Sequence, residues 1–418
     1  MKNSIKIAAA AAAALVSTSS VHAAGFMLSE QSVAGLGRAY AGAGIVGDDL
    51  SAVWYNPAGM VLLPGTQVQA GGVYVDLDLS YKGDDGTTEN GSKYGVPIPN
   101  FFFTRQMNDS MWFGLGLTVP YGLATEYNRT WGQINRGMNA EIKVFDLNPN
   151  IAWKISDKLS IGAGISLQYA DAQYETGVMG GMGYGRLDVD SFAWGANIGV
   201  MWSPTETLRF GLSYRSQVNH HADGDLRVGL AGGDNRSYIG EFSNASASLS
   251  APQTVLLTGT WEATPQLRLS ALIRWADWSS FDTLTVEVDP QSASNPVLGA
   301  LIREPIAVEN KWQDTWLFTI GADYVINNAW TVRAGVGYET SPIDDESRRT
   351  ALIPDSERLW LSIGATWHVT ENLQGDFGFT WLHGVGDAPL YDKPDGKRVG
   401  EFDTLDAYLF GAQMVYRF

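Results

Sequence analysis

From residue 66 to the carboxy terminus the chain alternates apolar and polar residues in one segment after another, and fourteen such segments can be counted. Their approximate spans are 66–81, 98–106, 110–119, 140–155, 159–174, 187–203, 207–220, 247–263, 266–288, 313–326, 330–341, 357–369, 372–384 and 404–418. A period of two marks β-strands with unlike faces. In the fifth segment Ile161, Ala163, Ile165, Leu167 and Tyr169 share a face, and in the sixth Phe192, Trp194, Ala196, Ile198, Val200 and Trp202 do. The last carries Tyr408, Phe410, Ala412, Met414, Tyr416 and Phe418 on one side and stops on Phe418. A terminal strand this aromatic would invite edge-to-edge aggregation in water. In a bilayer it is a lipid-facing stripe, which predicts a transmembrane barrel.

The connections carry the same message. Short turns at residues 156–158, 204–206, 263–265, 327–328 and 370–372 alternate with long polar loops near 82–97, 120–139, 175–186, 221–246, 289–312, 342–356 and 385–403. Tight periplasmic turns and longer extracellular loops are the asymmetry of outer-membrane barrels, whereas a soluble sandwich has no reason to keep it. An even strand number returns the chain to the periplasmic side. Residues 1–23 read as a cleaved export signal: Lys2 and Lys6, a short apolar run from Ile7 to Val16, and the small-residue site Val21-His22-Ala23.

Loss of Lys2 and Lys6 takes the net charge from −17 to −19, with 26 basic against 45 acidic residues. That balance argues against a nucleic-acid partner, which needs basic patches. The absence of cysteine removes disulfides and thiolate metal sites. No cofactor is expected.

Residues 24–65 lack strand alternation yet contain Phe26, Leu28, Val53, Trp54, Tyr55 and Met60, which need burial. Barrels of ~8 strands fill themselves with side chains and those of ~16–18 leave a channel. Fourteen strands enclose more space than their walls fill, so residues 24–65 are expected to form a hatch inside a barrel of residues 66–418. The fold class is therefore all-β: a 14-stranded antiparallel transmembrane barrel with an amino-terminal plug.

Several motifs in this segment and beyond carry a family resemblance. They are Gly25-Phe26, Gly35-Leu36-Gly37-Arg38-Ala39-Tyr40, Asp48-Asp49 and Asn56-Pro57-Ala58; Tyr121 to Tyr127 (YGLATEY); Tyr214-Arg215-Ser216; and Ser341-Pro342 with Ile353-Pro354-Asp355, Arg358 and Trp360-Leu361-Ser362. Together they resemble the FadL-type outer-membrane transporters of long-chain fatty acids and hydrophobic compounds. The resemblance implies a monomer in contact with outer-membrane lipid and lipopolysaccharide, an extracellular greasy groove, a deeper pocket at the hatch, and a kinked third strand that opens the wall sideways. On that reading Arg38, Asn56, Pro57 and Ala58 belong to the hatch motif, and Gly114 and Gly116 mark the lateral opening. Phe26, Leu28, Trp54 and Tyr55 line the inner pocket, and Tyr121, Leu123, Tyr127 and Trp131 the outer groove. Fatty-acid members place basic residues on the fifth strand and near the start of the tenth. Here those places hold Asp171 and Gln313, leaving Lys311, Arg215 or Arg38 as partners for a carboxylate.

Long-chain fatty acids are the expected cargo, with neutral aromatic or aliphatic hydrocarbons as the alternative and a general porin as the second. Each CH₂ taken from water is worth ~0.8 kcal/mol, which suits a greasy route and not a wet pore. An outer-membrane lipase or protease needs a nucleophile beside a base, and His220, His221, His368 and His383 suggest no such arrangement. Gly42 to Gly47 spells G-x-G-x-x-G without the βαβ context of a dinucleotide site. His220, His221, Asp223 and Asp225, and the run Asp344-Asp345-Glu346, read as solvated loop residues before they read as cation sites.

Overall fold

The computed structural model describes residues 25–418 other than 92–94, 129–130, 132, 134–136, 179–182, 231–237, 302–304 and 393–395. The expected export signal lies outside the described residues. Among them, fourteen antiparallel strands close into a barrel. They are β1 (Thr66–Gly83), β2 (Val96–Asn108), β3 (Met111–Glu126), β4 (Asn139–Ser156), β5 (Leu159–Val178), β6 (Gly183–Trp202), β7 (Leu208–Arg215 continued by Val218–Leu230) and β8 (Tyr238–Ala251 continued by Thr254–Glu262). The remaining six are β9 (Leu267–Ala276), β10 (Thr315–Val325), β11 (Trp330–Glu339), β12 (Glu357–His368), β13 (Leu373–Val385) and β14 (Lys397–Arg417). Closure comes from β1 against β14, paired from Gln67 opposite Arg417 to Gly83 opposite Gly400 with one bulge between Ser80 and Tyr81.

The alternation reads out as expected. Ile165, Trp194, Ile198, Phe410, Met414 and Phe418 all face outward and are exposed on the isolated chain, as lipid-facing residues must be. Aromatic residues gather at the ends of the strands joined by short turns, where Trp202 stacks on Phe210 and Trp330 on Trp367. Such a girdle is usual at a membrane interface.

Two spans differ most from the sequence reading. The ninth segment, expected to run to 288, ends at Ala276. A 3₁₀ turn at Trp278–Ser280 follows it, and Thr283–Val288 is a separate strand paired to β8. Of residues 221–246, expected as a loop, 221–230 and 238–246 instead extend β7 and β8 outward as paired strands. A strand that rises clear of lipid needs no continuous apolar face, so its alternation fades although its pairing does not.

Residues 25–63 fill the ring, and nearly all of them are buried. They include two short helices, α1 (Val33–Leu36) and α2 (Ala52–Tyr55), and a 3₁₀ turn at Pro57–Leu62. Contact with the wall is so close that a Cβ on Gly335 would stand 2.2 Å from the Arg38 carbonyl carbon, and one on Gly37 2.8 Å from the Gly364 Cα. Ala39 and Tyr40 sit in the left-handed region at φ 52° and 59°. That costs roughly 1–2 kcal/mol each for residues other than glycine. Anchors on both sides hold them there: the Arg38 ion pairs, and the Tyr40 ring against Trp360 and Tyr55.

Candidate functional site: an inner cavity and a seam in the wall

Alternate residues of a strand donate to alternate neighbours, so prolines two positions apart remove donors on the same side. Pro97 and Pro99 of β2 do this. Pairing with β1 continues unbroken from Thr66–Arg105 to Val75–Val96, so the missing donors face β3. Pairing of β2 with β3 accordingly runs only from Asn108–Met111 to Phe101–Leu117. Beyond it, Val96–Asn100 and Thr118–Glu126 are not paired to each other, and the register of β3 with β4 shifts between Thr118 and Tyr121, around Pro120. The seam therefore starts after Leu117.

Gly114 and Gly116, expected at the opening, lie in regular pairing on both sides. Their lack of side chains serves the plug instead. A Cβ on Gly114 would stand 2.4 Å from the Met60 sulfur and 2.9 Å from a Val53 methyl. A strand glycine signals either a bend or a close approach, and here it signals the second.

The amino-terminal segment takes the place of the missing neighbour. Leu28 N–H donates to Pro120 O at 2.8 Å, Gly122 N–H to Phe26 O at 2.9 Å, and Gln31 Nε2 to Val119 O at 2.7 Å. On the outer side of this segment lies a cavity at the seam, lined by Val96, Pro97, Ile98, Val119, Leu123 and Phe145 among others. On its inner side is a second cavity, bounded by Met27, Trp54, Tyr55, Tyr121, Leu256, Leu272 and Leu317. Among the described residues Leu28 alone lines both.

Two arginines interrupt the apolar lining of the inner cavity. Arg274 is committed to Glu339 at 2.5 Å and Ser29 Oγ at 2.6 Å. Arg215 sits 3.5 Å over the Trp54 ring and donates to Trp54 O, Ser166 Oγ and Asn148 Oδ1. A plugged barrel with a greasy inner chamber that meets a seam in the wall at Leu28 is an arrangement for apolar solutes.

Residues 14–418 match the model of the family described as outer membrane protein transport protein (OMPP1/FadL/TodX). The chain belongs to this family, and it is an outer-membrane protein. It is 28% identical to a long-chain fatty acid transport protein of Escherichia coli O6:H1, over 99% of this chain and 98% of the relative. It is also 28% identical to outer membrane protein P1 of Haemophilus influenzae, over 90% and 89% of the two chains. Among solved structures, a Pseudomonas aeruginosa FadL homologue superposes with a TM-score of 0.82 at 25% identity, covering 94% of this chain and all of that one. The toluene transporter TodX of P. putida shares the fold at a TM-score of 0.70 and 17% identity, over 88% and 94% of the chains.

Of the four residues expected in the inner pocket, Leu28, Trp54 and Tyr55 line the cavity. Phe26 does not. It packs edge-on to Trp278 at 4.7 Å and lies near Phe281, Trp312 and Tyr121. This cage exists because the 3₁₀ turn after β9 carries Trp278 inward, a turn that alternation did not foresee. The four residues expected in one outer groove divide three ways. Tyr121 lines the inner cavity and Leu123 the seam. Tyr127 stacks on Trp131 at 4.2 Å in an extracellular cap with Tyr81 and Phe402.

The hatch motif is structural in its contacts. Asn56 Oδ1 accepts from Ala58 N–H while its Nδ2 donates to Val200 O, and Ala58 O accepts from Ser160 Oγ. Pro57 reaches the inner cavity. Arg38 joins Asp48, Asp323, Arg333 and Asp376 in a buried ion network near the short-turn end.

Neither Asp171 nor Gln313 lines the cavity. Asp171 shares the outward face of β5, between Lys143 and Asp190, and Gln313 bonds to Ser341 O. Lys311 pairs with Glu309 at 2.8 Å and Arg38 is held in its network. Of the three substitutes, only Arg215 reaches the cavity. His220 turns inward, with both ring nitrogens engaged by Ser191 and Gln168, while His221 faces the other way toward Ser248. Adjacent strand residues point apart, so the pair cannot grip one ion.

The loop before β12 latches the amino terminus. Asp355 accepts from Gly25 N–H at 3.1 Å and Ser341 Oγ at 2.8 Å, and pairs with Arg358. Burial nevertheless pushes its carboxyl up to about 6 from an ordinary 3.8, against the pull of Arg358, Ser341 and Gly25. A folded chain that holds this proton more tightly than the unfolded one gains stability as pH falls through 6 toward 4, and loses it as pH rises. Thermal unfolding across that range should show the wild type gaining on Asp355→Asn by on the order of 2 kcal/mol. A difference that stays constant with pH would refute this.

Proposed function

We propose that the chain carries long-chain fatty acids across the outer membrane, passively, by way of the inner cavity and the seam between β2 and β3. The observation that supports this most is the pair of apolar cavities that meet at Leu28, which lines both. An acyl chain gains by leaving water at each step and meets no wet lumen, because residues 25–63 occupy it. Leu28 gates the passage, and the guest leaves sideways into lipid. The protein acts as a monomer, its extracellular loops lying among lipopolysaccharide.

A second reading has its own support. Most of the inner lining is hydrocarbon, which also fits neutral aromatic or aliphatic guests, and the fold is that of the toluene transporter TodX.

The test is uptake by cells lacking the gene, complemented by the wild type or an empty vector. Complementation should restore growth on oleate as sole carbon source and raise initial uptake of labelled oleate well above the empty-vector level. Restored toluene uptake with no change in oleate would select the second reading. Steady ion conductance in planar bilayers, with neither guest carried, would mean a general porin.

A further inference from the structure

Residues 26–31 close the seam, and in their midst sits a carboxyl that the fold leaves unsatisfied. Glu30 is 1% exposed, and its Oε2 has no hydrogen-bond partner among the described residues. Its neighbours on the segment are all engaged. Ser29 O accepts from the Tyr55 hydroxyl, Ser29 Oγ accepts from Arg274 at 2.6 Å, and Gln31 Nε2 donates to Val119 O at 2.7 Å. A buried polar oxygen without a partner is costly, and an ionised one far more so.

The charges that reach Glu30 are Arg274 on β9, Glu339 on β11 and Arg358 on β12, and the phenols beside it are Tyr40 and Tyr55 of the plug. Neither arginine is free to neutralise it. Glu339 holds Arg274 at 2.5 Å, and Asp355 holds Arg358. Arg358 Nη1 and the Tyr40 hydroxyl, themselves without hydrogen-bond partners among the described residues, do not reach Oε2 either. Burial, with Glu339 adding to it, pushes the carboxyl from an ordinary 4.5 up to about 7, against the pull of its own backbone N–H, Arg274 and Arg358. The seated segment thus holds a proton that a lifted one, its carboxyl back in water, would release. Seating is strongest below 4.5 and weakens as pH rises through 7.

We propose that Glu30 is a proton-operated catch on the seam: its neutral carboxyl seats residues 26–31 against β3, and its ionisation lifts them. The inference goes beyond the transport reading, because the bonds from Leu28 to Pro120 and from Gly122 to Phe26 close the seam whatever the cargo. For a guest that leaves by the seam, the catch makes release faster on the alkaline side of neutrality.

The test is hydrogen exchange of wild type and Glu30→Gln in nanodiscs at pH 6 and pH 8, read by mass spectrometry and corrected for the intrinsic effect of pH on exchange. Peptides covering residues 26–31 and 118–124 report the Leu28 and Gly122 amides that close the seam. Lifting that returns a carboxyl from about 7 to 4.5 becomes about tenfold more frequent over that span. Protection of both peptides in the wild type should therefore fall by at least about tenfold. Glu30→Gln, a neutral isostere, should keep only the fall of about twofold that the Asp355 latch contributes between its own about 6 and 3.8. Protection in β5 should stay level in both proteins, which separates a local catch from a loosened barrel.

A fall of the same size in both proteins, level protection in the wild type, or a matching fall in β5 would overturn the catch and leave transport standing. Should Glu30→Gln fail to fold, Glu30→Met, which also cannot ionise, takes its place with the same expectation. A pH-dependent seal that needs Glu30, in a protein that carries neither oleate nor toluene, would support the catch and remove the transport reading alone.

Discussion

Replacing Gly122 by tryptophan should cut oleate uptake by at least about tenfold while the barrel folds normally, because the ring would fill the seam cavity. A Cβ at Gly122 already meets the Leu28 Cδ1 at 2.9 Å and the Ile142 carbonyl oxygen at 3.7 Å. Everything beyond that Cβ must occupy the space that Val96, Ile98 and Leu123 now border, and overpacking costs 1–3 kcal/mol even where the site adjusts. Leu28 would be pinned against the inner cavity. The opposite change, Leu28→Ala, joins the two cavities and should speed uptake, with a stability loss of about 2–5 kcal/mol for a buried leucine. Initial rates of labelled oleate uptake, corrected for protein in the outer membrane, check both. Wild-type uptake in Gly122→Trp would mean that cargo does not leave by the seam.

Arg38→Ala should loosen the plug. The guanidinium meets Asp48 at 2.5 and 3.1 Å and Asp323 at 3.3 Å, and its Nε donates to Ala41 O at 3.0 Å. Removing one member of a buried ion cluster leaves its partners uncompensated, at a cost of roughly 3–5 kcal/mol. Asp323 would keep Arg333 at 3.1 Å, so the wall survives and the loss falls on residues 25–63. Planar-bilayer conductance should rise from near silence to frequent openings, and added protease should clip the amino-terminal segment faster. Arg38→Lys should recover little, since a single ammonium cannot replace a fork shared between two carboxylates. A silent, protease-resistant Arg38→Ala barrel would show that packing alone holds the plug.

What the sequence revealed follows from where each residue meets lipid. Ile165, Trp194 and Phe410 advertise the wall because every second side chain of a spanning strand must be apolar. Phe26, Val53 and Met60 advertise the plug because they are apolar without alternating. The outer part of the β7–β8 pair, residues 221–230 and 238–246, does not read as strand because its faces need not alternate where no lipid meets them. The seam had a signal in Pro97, Pro99 and Pro120, but it needs the pairing partner of each strand to be known, and glycine at 114 and 116 drew attention to the wrong place. Arg215 belonged to a recognisable motif. Its freedom from any direct carboxylate became visible only once Asp146 was seen turned toward Ser166 and Gln168.

Residues 26–31 do two jobs at one edge: they stop the inner chamber, and they satisfy the backbone groups that β2 leaves bare on β3. The two cannot be undone separately. A guest that pushes Leu28 aside strips those backbone groups of their partners, and in a membrane that penalty falls at once because no water stands ready to replace them. On the proposed route the breach would close behind each passenger under its own restoring force, sealing the envelope without an energised gate.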